Sequence, residues 1–198
     1  MIPLSEVKAR LTAGEIESGL WNCHHHGLHS IVLETRSDGS LLRIFFTSPE
    51  HQMGKVFNSQ GHFIIGAHNH DKPCGFAVLY GDIWNVDLSV GIGRYPLYRY
   101  RFPSGIDGNG FTLGEPRKFF GNIRLEPIDG KYMSTKDIHT VLVATPKAAW
   151  VVDERVREPV AKYIYSPKIG LSLDANGLYG PMTASEVKTC ADEVLALC

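Results

Sequence analysis

From His29 onward the chain reads as short apolar or alternating stretches broken by turn residues: SIVLETR, LLRIFFT, FIIGAH, GFAVLY, DIWNVDLSV, LYRYRF, NIRLEPI, HTVLVAT, AAWVV and AKYIYS. Runs of this length, rich in β-branched and aromatic residues and bounded by Gly, Pro, Asn and Asp, predict β-strands. At least eight of them at this spacing predict an all-β sandwich or barrel. Ser37-Asp38-Gly39-Ser40 joins the first two runs as a hairpin turn. Both ends of the chain change period. Val7, Leu11 and Ile16 recur at helical spacing behind Ser5 as N-cap, which predicts a short amphipathic helix over 5–18. MTASEVKTCADEVLAL carries Thr183 with Glu186 three residues on, a capping box, and sets Val187, Cys190, Val194 and Leu197 on one helix face. The glycine-rich stretch from Pro103 to Phe120 keeps neither period and is expected to be a long loop. No internal repeat is visible. The expectation is one domain: a helix and lead-in over 1–28, a barrel over 29–168, and an extension with its helix over 169–198.

Composition narrows the choice of partners. The chain has 198 residues, 43% apolar and 21% charged, enough to bury a sizeable core in a soluble domain. Twenty Lys and Arg against 21 Asp and Glu leave a net charge of −1, so no basic footprint points to nucleic acid or an anionic membrane surface. The charged N-terminus and the lack of a bilayer-length apolar run argue against a membrane span and for a cytoplasmic location. Four cysteines with no CxxC pair read as free thiols. The expected partner is a small molecule. An open sheet edge would let two chains pair as a homodimer.

The chemistry concentrates in HNHDKPCGFAVLYG, residues 68 to 81. Alternate residues of a strand share a face, so His62, Ile64, Gly66, His68 and His70 are expected on one side of a strand through HFIIGAHNH. A turn at Asp71-Lys72-Pro73 would return the chain antiparallel through CGFAVLY and lay Cys74 near the histidines. His139, opening the later apolar run, supplies a third imidazole. Three neutral imidazoles without a carboxylate suit Fe(II), Zn(II), Ni(II) or Cu(II). Cys23-His24-His25-His26, with His29 beyond it, lies in an expected loop and reads as an adventitious metal binder rather than the site. Arg43 alternates with Leu41 and Phe45 on a strand apolar on both faces, so it needs a buried carboxylate, with Asp82 and Glu34 as candidates, or an anionic ligand.

The pattern HxHx3C, six residues, Gly81, with His139 opening a later strand, resembles the cupins. A cysteine at the position of the family's glutamate is similar to the thiol dioxygenases of the cysteine dioxygenase type. YIYSPK resembles that family's strand ending in Tyr-Ser-Pro, and Arg43, 25 residues before His68, matches the spacing of its substrate-binding arginine. Tyr163 stands where the family has a histidine, Ala161 where it has a serine and Leu41 where it has a tyrosine. The resemblance implies a single cupin barrel of the jelly-roll type. It also implies Fe(II) held by His68, His70 and His139, and a small thiol substrate oxidised by O2 with its carboxylate on Arg43. Tyr165 and Cys74 would act in catalysis, Tyr165 oriented by Tyr163, and the two can be cross-linked in that family. Two alternatives stand beside it: a cupin dioxygenase of another small substrate, and a non-catalytic cupin that binds a metal or small molecule.

Overall fold

Strands form where most of the β-branched and aromatic runs predict them, residues 63–66 excepted, and the ends are helical. The computed structural model describes residues 3–101, 116–170 and 177–198. In chain order these residues form α1 (Leu4–Ala13), β1 (Ser18–Trp21), β2 (Leu28–Thr35), β3 (Leu41–Thr47), β4 (Ala67–Asn69), β5 (Cys74–Tyr80), β6 (Ile83–Gly91), β7 (Tyr95–Arg101), β8 (Arg117–Pro127), β9 (Tyr132–Met133), β10 (Ile138–Val143), β11 (Ala149–Glu154), β12 (Tyr163–Ser166), β13 (Gly180–Pro181) and α2 (Ala184–Leu197). The architecture is an all-β barrel with a short helix at each end. One sheet runs β13-β1-β2-β3-β11-β5-β9, and a six-stranded sheet closes on itself as β10-β4-β12-β7-β8-β6.

Strand alternation sorts the apolar side chains into three layers. In β3 and β11, Phe45, Trp150 and Val152 point toward the closed sheet, where they meet Ile83, Val141 and Val143. Leu42, Ile44, Phe46 and Val151 point the other way, onto Val7 and Leu11 of α1 and Val187, Cys190 and Val194 of α2. Each such side chain, fully buried, contributes about 1.5–3 kcal/mol, and this is why the two amphipathic helices dock. The third layer, Ala67, Val86, Leu88, Leu97 and Tyr165, lies on the opposite face of the six-stranded sheet.

The capping box of α2 is present, with the Thr183 hydroxyl accepting from Glu186 N. At α1 the cap differs from expectation. Pro3, not Ser5, occupies the N-cap without a side-chain bond, and Gly14 at φ 70° ends the helix before Ile16. Gly81 turns β5 into β6 at φ +93°, with Thr145 Oγ1 and Ala148 Cβ so close that any side chain there would collide. The Ser37–Ser40 turn joins β2 to β3 as a hairpin.

Two further expectations give way. The glycine-rich loop ends early, because Arg117–Phe120 already belong to β8; the part from Pro103 to Gly114, with Glu115, lies outside the described residues. The histidine hairpin does not exist. β4 is only Ala67–Asn69 and pairs with β10 and β12, while β5 pairs with β11 and β9. Asp71–Pro73 therefore carries the chain from one sheet to the other. The buried Asp71 carboxylate anchors this corner through Arg157 (2.7 Å) and Lys162 (2.9 Å), and its carbonyl accepts from Glu158 N. Among the described residues no helix is long and apolar enough to cross a membrane.

Candidate metal centre

Antiparallel register brings the histidines together. His68 of β4 sits directly opposite His139 of β10, and residues paired in this way share a face. His70 follows β4 at the corner that Asp71 anchors. The ligand nitrogens of His68, His70 and His139 all lie within 4.8 Å of one another. Ring centroids are 4.8 Å apart for His68 and His70, 5.2 Å for His68 and His139, and 4.9 Å for His70 and His139. The rings stand between the two sheets, with Phe76 of β5 at 5.8 Å from His139. The site thus lies on the outer face of the closed sheet, against the seven-stranded one, and not inside the closed ring of strands.

Hydrogen bonds behind the rings set which nitrogen faces the centre. His139 Nδ1 lies 2.7 Å from Asn85 Oδ1, and the Asn85 amide is oriented by its Nδ2 donating to Glu126 Oε1 at 3.2 Å. His139 therefore carries its proton on Nδ1 and presents an Nε2 lone pair. His68 does the same, since its Nδ1 is 2.6 Å from the Gly66 carbonyl. Lys131 pairs with Glu126 and extends the network to the surface. A carbonyl or amide oxygen behind a metal-binding imidazole is the arrangement that orients such ligands.

The residues fit a metal ion. His70 Nε2 and His139 Nε2 are 2.8 Å apart. Without a cation, His70 must place its proton there, because the opposing lone pair is fixed. Charge is also matched to the task. Burial, then the neighbouring imidazoles, holds His70 and His139 well below the usual imidazole range; burial lowers His68 too, against the pull of the Gly66 carbonyl. All three are neutral at pH 7, the form that binds metal.

Among the other expected site residues, Arg43 and Cys74 face the same inter-sheet layer. Arg43 pairs in register with Val152 on the Phe45 face of β3. Its carboxylate partner is Glu154, with Nε 3.0 Å from Oε1, rather than Asp82 or Glu34; Glu34 pairs with Arg10 and Arg36. The Arg43–Glu154 pair is close but not aligned for a hydrogen bond from Nε. Cys74 is fully buried in the apolar cluster that also holds Cys23, and burial, then the Glu154 and Asp137 carboxylates, pushes its thiol far up, so it stays protonated. Cys23 is pushed up to about 12 for the same first reason.

Tyr165 and Tyr163 are not brought to the site. Tyr165 pairs with Ala67 while Ile164 pairs with His68, so β12 turns Ile164 toward the histidine face and Tyr165 away from it. Tyr165 packs with Val86 and Leu97, and Tyr163 stacks on the Arg99 guanidinium at 4.3 Å. The structure does not bring Cys74 and Tyr165 together: the two side chains belong to separate apolar clusters. His62 bonds Ser166 Oγ at 2.6 Å, apart from the three imidazoles.

Sequence reasoning missed three residues here. Asn85, inside an apolar run, carries no motif. His24, set aside with the loop histidines, stacks on His68 with centroids 5.3 Å apart and planes 26° from parallel. Tyr179, beyond the barrel, places its hydroxyl 2.7 Å from His24 Nδ1. His24 is exposed by surface area yet ringed by His68, Phe45, Tyr179 and the Arg43 charge, so it lines a recess rather than a convex surface.

Comparison with known proteins finds no matching family model, no similar curated protein and no matching solved structure. The chain's own geometry carries the assignment: a β-barrel with a three-histidine cluster fits a cupin-like fold and could hold a metal ion.

Proposed function

We propose that the protein is a cupin-type mononuclear Fe(II) dioxygenase acting on a small substrate, with a small thiol acid as the first candidate. The observation that carries this reading is the convergence of three neutral imidazoles with no carboxylate, two of them locked to present Nε2. Three imidazoles suit Fe(II), Zn(II), Ni(II) and Cu(II) alike, and Fe(II) is named on the resemblance to the cupin dioxygenases. Bound iron would supply one-electron chemistry with O2 and open positions for substrate. The chain's residues do the rest. Asn85 and the Gly66 carbonyl hold the ligand rings, and Phe45, Phe76 and Trp150 keep the inter-sheet layer dry. Arg43 offers a guanidinium to a substrate carboxylate. A thiol R–SH would take up both atoms of O2 to give the sulfinic acid R–SO2H.

A second reading, a cupin that binds a metal or small molecule without turnover, is favoured by one observation: Tyr163 and Tyr165 face away and Arg43 already has Glu154. The test is anaerobic loading with Fe(II), followed by metal analysis and oxygen uptake with cysteine or 3-mercaptopropionate. Stoichiometric iron with substrate-dependent oxygen uptake supports the dioxygenase. Stoichiometric iron with no uptake on any small thiol or diketone supports the binder. No retained metal, with a His70→Ala variant indistinguishable from the parent, refutes both.

A further inference from the structure

Three non-glycine residues among those described have left-handed backbone: Asn22 (φ 54°), His24 (φ 66°) and Tyr179 (φ 56°). All three belong to one constellation. Tyr179 N donates to the Asn22 carbonyl at 3.3 Å, Asn22 Nδ2 donates to the Gly177 carbonyl at 3.1 Å, and Asn22 Oδ1 accepts from Gly27 N at 2.9 Å. Asparagine adopts this conformation readily; histidine and tyrosine do not, and their surroundings must over-determine it. Two segments 155 positions apart hold strained backbone so that one phenol meets one imidazole. The rings cross at 88° with centroids 5.6 Å apart, and the imidazole then lies on His68.

We propose that His24, held by the Tyr179 hydroxyl, is the residue that hydrogen-bonds an anionic ligand entering the three-histidine centre. In the proposed tautomer the phenol donates to His24 Nδ1, and the imidazole proton sits on Nε2, at the opposite edge of the ring. That N–H has no protein partner among the described residues. It is a donor on the ring that stacks on His68, and the Arg43 guanidinium lies near enough to act on His24, His70 and Tyr179. A donor and a cation near the same centre select an acceptor-bearing anion: a carboxylate, a thiolate or a small inorganic anion. His24 is not a fourth ligand, since its nitrogens fall outside the group that converges within 4.8 Å. This assignment deepens the metal-centre reading and rests on it.

The experiment uses the full chain loaded with Co(II) and titrated with azide, followed by visible absorption. His24→Asn keeps a residue that tolerates positive φ, and Tyr179→Phe removes only the hydroxyl; circular dichroism and thermal unfolding check both folds. A hydrogen bond to a charged ligand is worth about 1.5–3 kcal/mol, so His24→Asn should weaken azide binding by about tenfold to a hundredfold. Tyr179→Phe should weaken it less, and Co(II) stoichiometry should be unchanged in both. Azide binding equal to that of the parent in both variants overturns the proposal. So does loss of Co(II) from His24→Asn, which would make His24 a metal ligand. A parent protein that takes up no Co(II) sinks the metal centre itself, and this inference with it.

Discussion

Replacing Asn85 with alanine should weaken metal binding about 10–100-fold without unfolding the protein. Asn85 is completely buried, and its Oδ1 is the acceptor for His139 Nδ1–H at 2.7 Å. Removing it leaves a buried N–H with no acceptor, a penalty of about 1–3 kcal/mol. The metal-free protein can escape part of this penalty by moving the proton to His139 Nε2, toward His70 Nε2. The metal-bound protein cannot, because that lone pair is needed for the ligand bond. The loss therefore falls on binding more than on folding. Outer partners of metal-binding imidazoles are worth about 10–100-fold in affinity, which corresponds to about 1.4–2.7 kcal/mol. Zn(II) or Co(II) affinity is measured by competition with a chromophoric chelator, and the fold by thermal unfolding of the metal-free variant. A folded Asn85→Ala protein that binds within threefold of the parent would refute the claim that Asn85 sets the His139 tautomer.

Three other outcomes are expected. Because burial keeps His68, His70 and His139 neutral, metal binding at pH 7 should release almost no protons; calorimetry in buffers of different ionisation enthalpy will read this, and release of one proton or more contradicts it. The intact mass of the purified protein should show no loss of two hydrogens, and Cys74→Ser should change it only by the substitution, because Cys74 and Tyr165 pack in separate layers. Burial, then His25 and His29, lowers His51 from 6.5 to about 4, so the unfolded chain takes up that proton first as pH falls. Stability from this group is complete above about pH 6.5 and falls by about 1.4 kcal/mol per pH unit down to about pH 4. Urea unfolding of His51→Gln should show an acid limb shallower by that amount, and parallel curves would exclude His51 as its source.

Local rules made much of this protein legible in its sequence. Alternation marked most of the strands, the Thr183–Glu186 spacing marked the last helix, and His139 at the head of an apolar run marked the third imidazole, whereas His70 lies past the end of β4, where strand alternation does not reach. These features depend on neighbours within a few residues, so the sequence carries them directly. The strand pairing was another matter. Alternation says which residues of one strand lie together, but not which sheet that strand joins or which face meets the site. Asp71–Pro73 looked like a hairpin turn and became a crossing between sheets once Arg157 and Lys162 claimed Asp71. The register of β12 against β4 then turned Ile164 toward the histidines and Tyr165 away. Glu154 met Arg43 only because β11 lies beside β3. Asn85, His24 and Tyr179 reached the imidazoles through contacts across 54, 44 and 155 positions, counted from Asn85 to His139, from His24 to His68 and from His24 to Tyr179. No local pattern encodes such contacts, because burial and register are properties of the assembled sheets.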